Sequence, residues 1–279
     1  MAMSVRQAGI KTGKRANVLL VSMAGATYVL ILLGIYTAAV GAGLTCEGRW
    51  PLCDGAVFGL FPANWPSFVE WFHRLIAMIT GFLILGGWAI LWRRGNSRRA
   101  FLAMCAAVLL LPIQIWLGAE TVWGYEIITL TAHFLTALVI YTGLLLSVIW
   151  HFSLHRAVSE LVDRIVLGAL LVLVPFFVLT PQFIFVHTGR VQVAYYALGL
   201  AVFSGLILVS VSPRERPVRV LAVLATLLLT VQLVAGRLVR TPDLALVDWA
   251  SGALLVLALI GLFMLSRWFT PHISSFSTR

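Results

Sequence analysis

The sequence predicts an all-α polytopic membrane protein, eight transmembrane helices forming two similar four-helix halves. Composition comes first: of 279 residues, 61% are hydrophobic and 11% charged, with a mean hydropathy of +1.00. A soluble domain carries about 25% charged residues. Second, apolar runs of roughly 20 residues recur along the whole chain, each long enough to cross a bilayer. Third, these runs lack the apolar–polar alternation of barrel strands, which leaves helices as the way to satisfy the backbone in lipid.

The helices are expected, in order, at 18–40, 67–92, 100–120, 127–150, 162–182, 191–211, 217–236 and 247–268. The first could be read as a signal peptide, but its apolar stretch is about twice a usual signal core and no small-residue cleavage pattern precedes the next loop. It is read as a retained helix. The 41–66 connection is the longest and is rich in Gly, Pro and Trp; its Trp50, Phe61 and Trp65 suit a headgroup layer. A polar loop around 151–163 divides the chain into an N-terminal half, 1–155, and a C-terminal half, 156–279. A faint repeat supports that division. Gln114-Ile115-Trp116-Leu117-Gly118 ends helix 3 where Gln232-Leu233-Val234-Ala235-Gly236 ends helix 7. His133-Phe134-Leu135-Thr136-Ala137-Leu138 in helix 4 stands where helix 8 has Trp249-Ala250-Ser251-Gly252-Ala253-Leu254. His73-Arg74 opens helix 2 and His187-Thr188-Gly189-Arg190 opens helix 6. Halves running in the same direction make this a parallel repeat.

Charge predicts orientation. Arg6, Lys11, Lys14, Arg15, Arg93, Arg94, Arg98, Arg99, Arg156, Arg164, Arg214, Arg216, Arg219, Arg267 and Arg279 all fall on one side, 15 of the 20 basic residues. By the positive-inside rule that side is cytoplasmic, with both termini on it. The net charge of +10 is then a topology signal of a multi-pass cell-membrane protein. A nucleic-acid partner would need a soluble basic domain, and the sequence has none.

Two histidines stand out by position. His73 and His133 fall several residues into helices 2 and 4, both running inward, so they should lie roughly 8–10 Å below the outer boundary. Paired imidazoles on facing helices hold haem iron in bundles; the alternative is a pair of polar residues bonded inside the bundle. Ionisable groups at membrane depth are costly and usually functional. Glu70 lies three residues before His73 on the same helix face. It could orient an imidazole, take a proton or stabilise positive charge on a substrate, or be an ordinary acid at a helix start. Cys46 and Cys53 share the turn-rich outer loop, where thiols oxidise, so a disulfide is expected over free thiols. No second CxxC or histidine cluster supports zinc. Cys105 reads as a small buried apolar residue. Arg49, Arg74, Arg190, Arg237 and Arg240 lie on the outer side against the charge bias; they suit anionic groups such as haem propionates, or are simply solvated. His151, His155 and His272 are given no role.

Taken together these segments resemble the haem A synthase family. The resemblance rests on Gly43-Leu44-Thr45-Cys46 with Trp50-Pro51-Leu52-Cys53-Asp54-Gly55, on Glu70-Trp71-Phe72-His73-Arg74, on Gln114 to Gly118 followed by Glu120-Thr121-Val122, and on His133. It covers most of residues 30–145. It implies an oxidoreductase that converts a methyl group of haem O to the formyl group of haem A for terminal oxidases. His73 and His133 would be haem ligands of the substrate half, Glu70 the acid assisting the chemistry, and Cys46 and Cys53 the outer cysteine pair. The implied partners are haem O, its farnesylating synthase and oxidase assembly factors, in a lipid bilayer, with room for an oligomer. The chain departs from the family pattern in two places. Tyr36 to Gly41 replaces an Arg-containing stretch, and the C-terminal half offers His187 but Trp249 at the expected second histidine. A bis-histidine haem b there is not expected; that half is structural, or binds cofactor through His187 and another ligand. Two other functions stay open on the residues alone: a haem b electron carrier with Glu70 incidental, and a non-catalytic haem-handling protein.

Overall fold

The computed structural model describes residues 2–46, 49–50, 53, 56–57, 61–62, 64–94, 97–124, 126–154, 160–183, 188–238 and 242–269. Among them are eight long helices: α1 (Ala2–Ala39), α2 (Trp65–Arg94), α3 (Arg98–Trp123), α4 (Ile127–His151), α5 (Glu160–Phe183), α6 (Gly189–Val211), α7 (Arg216–Leu238) and α8 (Pro242–Phe269). A 3₁₀ turn at Ala42–Leu44 and a two-residue antiparallel ladder, β1 (Ala56–Val57) with β2 (Phe61–Pro62), ornament the first long connection. Each expected helix is present. The largest difference is α1, which continues upstream through the polar tail that hydropathy alone had left out.

Seven of the helices are long and apolar enough to cross a membrane, and the chain is a multi-pass membrane protein. α5 contributes a shorter apolar stretch, Arg164–Val178, among its described residues. Large apolar side chains cover the outside, with Leu109 75% and Ile128 76% exposed. In water such a surface would aggregate; in lipid it is the solvated face.

The chain forms two compact units, Met1–Phe152 with Thr188–Val193, and Ser153–His187 with Ala194–Arg279. In the first, α1 packs on α2 and α4, and α3 on α2 and α4. Small residues set the closest approach. A Cβ on Gly143 would stand 2.9 Å from the Ala103 carbonyl oxygen and 3.1 Å from Ala107 Cβ, so α3 and α4 meet backbone to backbone. Ser147 locks that contact by donating to the Ala100 carbonyl at 2.9 Å. Leu20, Met23, Ile84, Leu91, Met104 and Leu144 fill the end of this bundle where α2 finishes. The other end, where α2 begins, is built differently and holds Glu70 and His73.

In the second unit α8 packs on α7 and α5, around Phe177, Leu200, Leu229, Leu233 and Leu255. The Tyr195 ring stacks on Phe177 with centroids 4.2 Å apart, and the Tyr196 hydroxyl donates to the Leu233 carbonyl at 2.8 Å.

Candidate haem site

The start of α2 is fixed first. Asn64 accepts the Ser67 N–H at 2.9 Å through its side chain, and Pro66 occupies the first turn, where no N–H is needed. Before it, Cys46 and Cys53 form a disulfide across a Cα–Cα distance of 4.5 Å. The segment around Cys46 is fastened to α2 at two points. Ser67 donates to the Thr45 carbonyl at 3.1 Å, and Arg74 donates to the Arg49 carbonyl at 2.9 Å. Seven residues are about two turns, so both fasteners lie on one face of α2.

Glu70 lies between them, only 5% exposed. Its Oε1 accepts from Arg74 Nε at 2.7 Å, an i,i+4 ion pair. Arg74 therefore serves two protein groups, the Glu70 carboxylate and the Arg49 backbone. Glu70 is not a solvated acid at a helix start but a buried carboxylate with a built partner. A buried charge is tolerable when paired in this way.

His73 follows one turn after Glu70. Its ring rests on α1 at Gly34, where an added Cβ would meet Cε1 at 3.1 Å. His133 repeats the arrangement one helix pair later. Its ring rests on α3 at Gly118, where an added Cβ would meet Cε1 at 3.2 Å. Arg74 and His133 are both near enough to His73 to act on it electrostatically. Each imidazole thus projects from the second helix of a pair and meets a glycine of the first through its Cε1 edge. His73 Nδ1 is buried with no hydrogen-bond partner, while His133 Nε2 is 3.4 Å from Gln114 Nε2. Among the described residues no group of three or more His, Cys, Asp or Glu gathers as a metal cluster. A haem iron needs only two protein ligands, and two imidazoles seated on glycines fit that donor set.

Arg190 is exposed and lines a groove of about 330 Å³ with Val29, Leu32, Leu33, Tyr36 and Val193. His187, His155, His272 and Arg240 lie outside the described residues, and nothing is described of the Arg237 side chain. Cys105 is half-buried and accepts a hydrogen bond from Trp88 Nε1 at 3.4 Å, so it is more than an apolar filler. His151 faces Asn17 at 3.3 Å. The two features that sequence reasoning left without a role are Gln114 and the glycine pair Gly34 and Gly118. The one available signal was Gln114 and Gly118 at i,i+4, which share the face of α3 turned to His133.

The profile of the family described as cytochrome oxidase assembly protein matches residues 17–186, more than half of the chain and all of α1 to α4 beyond the polar tail. The chain belongs to that family. Among curated relatives of this family member, the heme A synthase of Bacillus pumilus is 27% identical over 169 residues, 58% of this chain and 54% of that protein. The heme A synthase of Bacillus licheniformis is 31% identical over 120 residues, covering 42% of this chain and 39% of the relative. The protoheme IX farnesyltransferase of Halobacterium salinarum is 34% identical over 132 residues, 47% of this chain but 28% of that enzyme. The chain thus spans about half, or less, of the length of each relative. No solved structure matches it.

Proposed function

We propose that this chain is a haem A synthase acting in its first unit, oxidising a methyl group of haem O to the formyl group of haem A. The carrying observation is the pair of imidazoles, His73 and His133, each seated on a glycine, with the buried Glu70 one turn from His73. The relatives add a second support. A heme A synthase and a protoheme IX farnesyltransferase share sequence with this chain, and haem is common to both names.

In this reading His73 from α2 and His133 from α4 would hold the haem iron. When bound, haem O supplies the methyl group to be oxidised and the iron. Glu70 then serves as the base or the counter-charge for positive charge developing at the substrate carbon. Arg74 holds the Glu70 carboxylate in place, and Arg74 with Arg49 forms the cationic side of the site suited to propionates. Arg190, in its own groove, is a further candidate for an anionic group. The disulfide and its two fasteners keep the loop over this end of the bundle. The basic residues set both termini on the cytoplasmic side and the site near the outer face. Haem O synthase and oxidase assembly factors are the partners this role calls for.

A pyridine haemochrome spectrum with haem extraction, on protein purified from cells supplying haem O, tests the reading. Haem O and haem A together are expected. Haem b alone, one per chain and never converted, would establish the second reading, a haem b electron carrier. One observation favours that alternative: the Glu70 carboxylate is already engaged by Arg74.

A further inference from the structure

The two units use the same glutamine differently. In the second unit Gln232, fully buried, donates from Nε2 to Asp248 Oδ1 at 2.6 Å and accepts at Oε1 from the Ser251 hydroxyl at 2.8 Å. Both ends of the amide are satisfied, and α7 is joined to α8 by a completed network. In the first unit Gln114 holds the same place before its glycine and reaches from α3 to α4. Its Nε2 is 3.4 Å from His133 Nε2. Two nitrogens can share a hydrogen bond only if the amide N–H donates and the ring nitrogen accepts with its lone pair. The other end of Gln114 is unsatisfied: Oε1 is buried with no hydrogen-bond partner.

Building on the proposed function, in which His133 ligates iron, we propose that Gln114 is a latch that competes with haem iron for His133. The lone pair it occupies is the one an iron ligand must present. In the empty site the amide holds the ring on Gly118 as the Nδ1–H tautomer, ready for ligation but capped. When haem enters, the amide must swing away; when product leaves, it returns to the nitrogen. A long contact at one end and an orphaned carbonyl at the other make this a weak cap. Weakness suits a site whose product is to be handed on, since two imidazole ligands alone would retain haem tightly. Gln232, with both ends bonded, is the same device permanently closed. Gln114 acts through His133 and is a positioning residue.

The test is haem retention. Full-length protein is loaded with iron protoporphyrin IX, and its transfer to excess apomyoglobin is timed for the parent, Gln114→Met and Gln232→Met. Methionine keeps the length of the side chain and removes the donor. Loss of one competing neutral hydrogen bond should slow haem release from Gln114→Met about fivefold, with the low-spin bis-imidazole spectrum unchanged. Gln232→Met should release haem at the parent rate. An unchanged rate for Gln114→Met overturns the latch, and so does a faster one, which would make Gln114 a support for ligation. If Gln114→Met does not fold, Gln114→Leu is read the same way. A parent that binds the porphyrin without bis-imidazole ligation removes the ligand reading as well, a different result from a parent that binds normally beside an unaltered variant.

Discussion

A carboxylate buried in a membrane helix needs a partner, and Glu70 has one in Arg74. That pairing leaves two roles for it, an anchor for the loop above or an acid–base group beside the substrate. Glu70→Gln separates them, because the amide oxygen still accepts from Arg74 while the charge and the basic oxygen are lost. The expected outcome is full haem loading with haem A formation reduced at least about 100-fold, read by extraction and chromatography of the haem. Conversion at the parent rate would confine Glu70 to the anchor. Loss of either imidazole is a different matter: His73→Ala and His133→Ala should each abolish the low-spin spectrum of the loaded protein. Most of these residues were legible in the sequence, since an ionisable residue at membrane depth announces itself by its cost. Arg74 was legible as a cation but not as the partner of Glu70, although the i,i+4 spacing allowed it. Gln114 stands in a sequence motif that by itself implies no role for the amide. A neutral amide in an apolar helix carries no signal until the atom it reaches is known.

At the scale of elements, two glycines do what no side chain can. Gly34 and Gly118 let an imidazole from the neighbouring helix approach the backbone of α1 and α3, with Cε1 3.1 and 3.2 Å from where a Cβ would stand, closer than an ordinary Cβ contact. A methyl at Gly118 would have to push the His133 ring by a few tenths of an ångström, and an isopropyl group by more. Gly118→Val should therefore weaken haem binding about tenfold while α3 and α4, which pack at Gly143 and Ser147 further along, keep the thermal stability near the parent value. Haem titration with parallel thermal melts checks both halves of that statement. Helix existence was readable from hydropathy because lipid imposes one length scale on every span. Helix ends were less so. α1 continues upstream of its apolar run, since hydropathy reports the lipid-facing stretch and not where the backbone stops being helical. Which glycines face a histidine could not be read, because glycines are scattered through these helices and only the packing tells them apart.

One unit holds the His73 and His133 imidazoles on their glycines, and the other holds a completed polar network. The sequence repeat placed Trp249 at the register of His133, yet Trp249 is 50% exposed and its neighbour Asp248 is buried. The residue facing inward at that level of α8 is thus Asp248, held by Gln232 and backed by Ser251. The offset of one residue was invisible in sequence, where alignment of apolar helices is loose by about that much. Its consequence is physical. Opening space for a porphyrin here would break two buried hydrogen bonds that hold α7 to α8, each costing about 1–3 kcal/mol if left unpaired, and no imidazole on α8 is available in return. The chain should accordingly carry one haem, in its first unit. Haem measured by pyridine haemochrome against protein by amino-acid analysis should give a ratio near one. Neither His187→Ala nor Trp249→Ala should lower it, whereas His73→Ala should remove bis-imidazole haem altogether. Asp248→Leu, which strands the Gln232 amide, should reduce thermal stability without changing the ratio, and Asp248→Asn should be milder because it still accepts from Gln232. A ratio of two, falling to one in His187→Ala, would mean that the second unit opens to take a haem and that its buried network is only the resting arrangement.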